Sequence, residues 1–140
     1  MTMKKLMYFL LFVFTLNVAA QEQYDWNSDY KSALELSKSQ DKPILAFVTD
    51  MQPSEAIQML KTNFFASESF QNMASQLILL KLDVSDQLSY NARMGIHYTN
   101  QTTAPGLALV GADNDAIGKP LVNFSTESIS VFLEFINSKL

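Results

Sequence analysis

The residues that first invite a chemical reading are Gln52, Pro53, Ser54 and Glu55, in the stretch "DMQPSEAIQML" that follows the apolar run "PILAFVT". Many folds place a reactive group at such a junction. Glu55 and Asp50, five residues earlier, are two carboxylates that could share acid–base work, which needs titratable groups held together at different pKa values. The simpler reading is structural. Pro53 suits the first position of a helix, because its fixed φ is helical and its missing N–H would have had no partner there. Gln52 is then the N-cap and Glu55 the third helical residue, where a carboxylate bonds back to the cap and meets the positive end of the dipole. Asp50 reads as a turn residue or an alternative cap. Gln52 carries a neutral amide, which is no nucleophile but can hydrogen-bond an extended peptide. Met51 offers either a soft, adaptable contact to a partner or cover for the core edge.

Elsewhere the chemistry is sparse. The chain has no cysteine and one histidine, His97. Thiol nucleophiles, disulfide exchange and thiolate metal sites are therefore impossible, and a usual zinc site lacks nitrogen ligands. No metal or cofactor is expected; any metal would need oxygen ligands. His97 and Tyr98 open the polar stretch "HYTNQTTAPG", read as a loop in which His97 is solvated rather than a proton shuttle. Asp113 and Asp115 flank Asn114, but the twelve-residue calcium pattern with its terminal Glu is absent, so a hairpin turn is preferred. The sequons at Asn100 and Asn123 are read as chance matches.

The elements that must position these residues follow from periodicity. Tyr30, Ala33, Leu34 and Ser37 share one face of a helix over residues 28–39, capped by Asn27 or Ser28 and broken before Pro43. Ile44 to Thr49 is a strand covered on both faces. Ile57, Leu60 and Phe64 continue the helix from Pro53, and a second short helix starts at Ser67. Leu77 to Val84 is the next strand, and its apolar density suggests a central position. Leu88 to Met94 reads as a helix stopped by Gly95. Residues 107–124 read as two strands around Asp113-Asn114-Asp115, with Gly111 and Gly118 near the strand ends. The last helix is capped by Ser125 or Thr126 and is apolar at Ile129, Phe132, Leu133 and Ile136. Strands separated by helices pair in parallel, and the last two strands form an antiparallel hairpin.

Residues 1–20 read as a signal peptide: Lys4 and Lys5, an apolar run of about 13 residues from Leu6 to Val18, then Val18-Ala19-Ala20. That run is short of the roughly 20 residues that span a bilayer, and no cysteine follows it for lipid attachment. The mature domain, residues 21–140, is expected to be exported to the periplasm or secreted, with no stable membrane anchor. It holds 8 basic and 14 acidic residues, a net charge of −6. That balance argues against nucleic acid as a partner.

The order of these elements resembles the thioredoxin family, and more narrowly its exported members. The likeness runs from Tyr24 to Leu140 and rests on Trp26, Asp41-Lys42-Pro43, "FFASESF", Leu82-Asp83-Val84, Asn91 and Ala104-Pro105. The resemblance implies an α/β thioredoxin-like fold, a mixed four-stranded sheet with helices on both faces. Laid on the family's Trp-Cys-x-x-Cys motif, Met51 stands at the Trp, Gln52 and Glu55 at the two cysteines, and Pro53 and Ser54 between them. Ala46 takes the place of a buried acid, Pro105 that of a cis-proline, and Gly106 that of a frequent Thr. What the resemblance then implies is a redox-inactive, non-enzymatic domain that binds a protein or extended peptide through Met51, Gln52, Glu55, Ala104 and Pro105. A structural subunit docking by another face, and a non-redox enzyme using Glu55 or Asp50, are the alternatives.

Overall fold

Ile44 to Thr49 alternates between two cores, and the rest of the fold is arranged around that alternation. In the computed structural model, which describes residues 24–140, all six residues of this strand, β1, are buried. Leu45 and Phe47 enter one apolar cluster, while Ile44, Ala46 and Val48 enter the other. Successive side chains of a strand point to opposite faces, so a strand with both faces covered reads as a continuous apolar run. The expected signal peptide and the expected mature start at Gln21 lie outside the described residues.

β1 pairs in parallel with β2, Ile78–Asp83, and antiparallel with β3, Gly106–Val110. β3 in turn pairs with β4, Ala116–Leu121, as an antiparallel hairpin. The sheet order is β2-β1-β3-β4, so β1 and β3 are central and β2 is an edge strand, not the central one its apolar density suggests; its outer edge is covered in part by the bridge from Asn27. The turn is closed by Gly111 and Asp115, and Asp113 accepts from the Asp115 N–H. Gly118 lies inside β4, not at its end. Its φ is 67°, and the pairing register slips between Leu107 and Leu109, as a β-bulge requires.

Helix α1, Tyr30–Gln40, buries Ala33 and Ser37 and is capped by Asp29, whose carboxylate accepts from Ser32. The cap is thus Asp29 rather than Asn27 or Ser28. Asn27 does something else: its backbone bridges to the edge of β2, accepting from Lys81 N and donating to Leu79 O. Helix α2, Glu55–Met59, runs into a π-helical segment, Leu60–Phe65. Helix α3, Glu68–Met73, has the expected start at Ser67. Helix α5, Thr126–Ser138, is capped by Ser125 and buries Ile129, Phe132, Leu133 and Ile136, the face read from the sequence.

The largest departure is helix α4, which runs Tyr90–Thr99 and ends at Asn100 in the left-handed region. Gly95 does not stop it. A Cβ there would stand 3.0 Å from Val48 Cγ1 and 3.2 Å from Val84 Cγ1, so the glycine permits close packing of α4 on the sheet. Asn100, which tolerates left-handed φ, provides the C-cap instead. His97 and Tyr98 are therefore helical, not part of a loop. Tyr98 is buried and donates to Asn114 Oδ1, while His97 Nε2 lies 2.9 Å from Asn114 O and 3.3 Å from Asp115 Oδ1.

Candidate functional site

Beyond Thr49 the chain turns under local control. Thr49 is buried, and its Oγ1 accepts from Met51 N at 3.0 Å. Asp50 Oδ1 accepts from Gln52 N, also at 3.0 Å. Asp50 is thus a turn residue, one of the two roles read for it. Between these bonds Met51 is held at φ 64° with its side chain 54% exposed. A non-glycine residue in that region costs about 1–3 kcal/mol and persists where surrounding bonds enforce it, a pattern that clusters at binding sites.

The helix entry differs from the expected one. Ser54, not Gln52, is the N-cap: its Oγ accepts from Ile57 N at 3.1 Å. Serine is a stronger cap than glutamine because its short side chain reaches the N3 amide from the cap position. Glu55 becomes the first helical residue rather than the third, so it meets the helix dipole without the reciprocal bond to the cap. Gln52 and Pro53 remain exposed in the turn, free of helix duties.

Beside this turn lies an open cleft of about 410 Å³ on the Phe47 side of the sheet. Trp26, Phe47 and Phe65 form its aromatic wall, with Trp26 5.6 Å from Phe65 and Phe65 5.2 Å from Phe47, centre to centre. Met51, Gln52 and Pro53 stand on its lining, with Lys61 and Lys81. The bridge from Asn27 to β2 holds Trp26 at this edge. The π-helical segment carries both Lys61 and Phe65; such insertions recur at functional sites because they offset neighbouring side chains. Lys81 faces Phe47 across the β1–β2 pair, with its Nζ 5.9 Å from the ring centre.

The structure divides the residues picked out from sequence. Met51 and Gln52 line the cleft; Glu55, Ala104 and Pro105 are not on its lining. The Ala104–Pro105 bond is cis, as the family resemblance implies, and Gly106 pairs with Val48 at the end of β1. Ala104 packs against the opposite core cluster, and Pro105 is buried. Gln101 Nε2 donates to Thr103 O at 3.0 Å and Pro105 O at 3.4 Å, which braces the loop. Gly106 has a packing reason: a Cβ there would stand 2.9 Å from Thr99 Cγ2. Ala46, at the place of the family's acid, is fully buried.

Sequence reasoning passed over Phe47, Lys61, Phe65 and Lys81. A lysine inside the apolar strand "LILLKLDV" was the available signal.

A mixed sheet in this order, a cis-proline beside the end of the first strand, and a turn with no thiol define a thioredoxin-like domain without cysteines. The chain belongs to the thioredoxin-like family, whose model matches residues 25–112. Among solved structures it is similar to a DsbH oxidoreductase, at 24% identity, 83% coverage of both chains and a TM-score of 0.62. It is also similar to the oxidised C-terminal domain of DsbD from Neisseria meningitidis, at 17% identity over 83% of this chain and 100% of that one, TM-score 0.56. A disulphide isomerase from Xylella fastidiosa Temecula1 matches at 18% identity over 81% of this chain and 95% of that one, TM-score 0.55. These likenesses concern the fold. No curated protein matches the chain by sequence.

Proposed function

We propose that the protein is an exported, redox-inactive thioredoxin-like domain that binds a protein or extended peptide beside the turn 49–54, as a binding or chaperone-like module. One observation carries this reading. The turn has no thiol, yet it keeps an open aromatic cleft with Met51 and Gln52 on its lining. Exposed apolar surface beside a bond-enforced turn is costly to maintain without a ligand. Asp50 and Glu55 fit acid–base catalysis less well, because Asp50 is engaged by the Gln52 amide and Glu55 opens a helix.

The test places a photo-crosslinking residue at position 52 and, separately, at Glu134 on the exposed side of α5, in cells of the native host. Adducts from position 52 that are missing from position 134 are expected. Adducts from 134 alone would replace the reading with a subunit that docks by another face. Insulin reduction by the purified protein is expected to equal the blank, and turnover above it would overturn redox inactivity. Export predicts a processed N-terminus at Gln21 by mass spectrometry.

A further inference from the structure

The cleft carries a charge pattern that narrows the partner. Its two charged side chains are Lys61 and Lys81, and no carboxylate is among the described residues that line it. The whole chain runs the other way, with a formal net charge of −4. Among the described residues the ion pair present is His97 with Asp115, so no described carboxylate stands within ion-pair distance of either lysine; Asp83, two residues along β2 and held down first by the Ser85 hydroxyl and amide, feels Lys81 only at longer range. Lys81 is half-buried, with its ammonium over the Phe47 ring. A cation–π contact engages one side of an ammonium and leaves donors for an anion. The cleft therefore pairs an aromatic wall with two lysines that no described carboxylate contacts.

The lining also fits a polypeptide. At about 410 Å³ it takes one large side chain, within the usual range of ligand pockets. It is open along the turn, where the exposed Gln52 amide can bond a passing backbone. Nucleic acid is disfavoured by the overall negative charge.

We infer that this cleft docks an acidic–aromatic segment of a partner protein. One aromatic or large aliphatic side chain enters beside Trp26, Phe47 and Phe65, and flanking Asp or Glu residues meet Lys61 and Lys81. The inference rests on the peptide-binding reading above and adds the chemistry of the partner.

Trp26 is the single tryptophan of the chain, so its emission reports on the cleft directly. The purified protein is titrated with three capped peptides: Asp-Glu-Phe-Glu-Asp, its neutral counterpart Asn-Gln-Phe-Gln-Asn, and Asp-Glu-Ala-Glu-Asp. The first is expected to give a saturable change in emission, with the neutral peptide weaker by about fivefold or more, the scale of two exposed charge pairs, and the alanine peptide weaker because it keeps the charges but loses the ring that fills the cleft. The same loss is expected for Lys61→Gln/Lys81→Gln, and binding should weaken as salt screens the pairs. Lys61→Gln alone changes an exposed helical residue and guards against misfolding at β2; it should give part of the loss. Equal affinity for the acidic and neutral peptides would overturn the inference and leave peptide binding standing. No response to any peptide, or a response only to anionic vesicles or to self-association, would also overturn it. The crosslinks from position 52 decide the broader reading independently.

Discussion

Ser54 Oγ accepts the backbone N–H of Ile57 at 3.1 Å, and this single bond sets where the helix after the first strand begins. Because Ser54 provides the cap, Gln52 is released from it and stands on the lining of the cleft. The helix start and the cleft lining are thereby divided between residues two positions apart. Ser54→Ala is expected to destabilise by about 1 kcal/mol, the usual loss of a serine cap. Gln52→Ala should stay within about 0.5 kcal/mol, as exposed substitutions do. Urea midpoints at unchanged m-value check both; equal losses would mean that Gln52 also caps.

Gly106 and Thr99 form a second close pair. Thr99 is buried and donates Oγ1 to Gly95 O at 2.7 Å, which fixes its methyl where a Cβ on Gly106 would lie 2.9 Å away. Gly106→Thr, the residue frequent in thioredoxins, is expected to cost about 1–3 kcal/mol through overpacking. Thr99→Ser keeps the hydroxyl and deletes the methyl. In a double-mutant cycle the pair should therefore be more stable than the sum of the single changes by about 1 kcal/mol. Additive losses would show that the methyl is not the obstacle.

Gly118 combines φ 67° with a hypothetical Cβ 2.5 Å from Phe135 Cζ. The ring can shift, but the backbone conformation remains unfavourable for any L side chain. Gly118→Ala is expected to lower stability by about 1–2 kcal/mol. A thermal or urea midpoint at or above that of the unchanged protein would contradict the bulge geometry.

Burial, with a smaller contribution from Tyr30, pushes the Tyr98 phenol up from 10.0 to about 12. The folded state therefore favours the protonated form. The stability linked to this group is fully present below the unfolded value near 10 and is lost as pH rises towards about 12. A tyrosinate absorbance titration should show a last step that disappears in Tyr98→Phe, and the alkaline decline in stability should be shallower in that variant. A step near the ordinary tyrosine value would contradict the burial.

Asp29 shows the opposite sign. The Ser32 hydroxyl and then the Ser32 amide hold its carboxyl below the ordinary value of 3.8. Stability linked to Asp29 is present above 3.8 and fades as pH falls through the lower folded value. In Ser32→Ala, which keeps the amide and loses the hydroxyl, the carboxyl should titrate closer to the ordinary range by carbon NMR; an unchanged value would remove the Ser32 hydroxyl as the main cause.

Much of the fold was legible because it depends on short-range pattern. The unbroken apolar run Ile44 to Thr49 announces a strand covered on both faces, and Ile129, Phe132, Leu133 and Ile136 give α5 its buried stripe. Where local rules compete, the sequence was less decisive. Gly95 looks like a helix stop until Val48 and Val84 are seen to press against it. Gln52 and Ser54 are both plausible caps by spacing, and only the backbone path through Met51 selects Ser54.

By itself the sequence determined the chemistry that is impossible. With no cysteine and one histidine, no tertiary arrangement can supply a dithiol. It also determined the strand and helix order, since hydrophobic periodicity is a local property. Tertiary structure alone decided the site. Trp26, Phe47, Phe65 and Lys81 are far apart in sequence and meet because β2 pairs in parallel with β1, Asn27 bridges to the edge of β2, and the π-helical turn carries Phe65 onto Phe47. Ala104 packs on the opposite side of the sheet. The physical reason is the pleat: a one-residue step along β1 moves a side chain from one face to the other, so residues grouped by a motif can be divided by the sheet they flank.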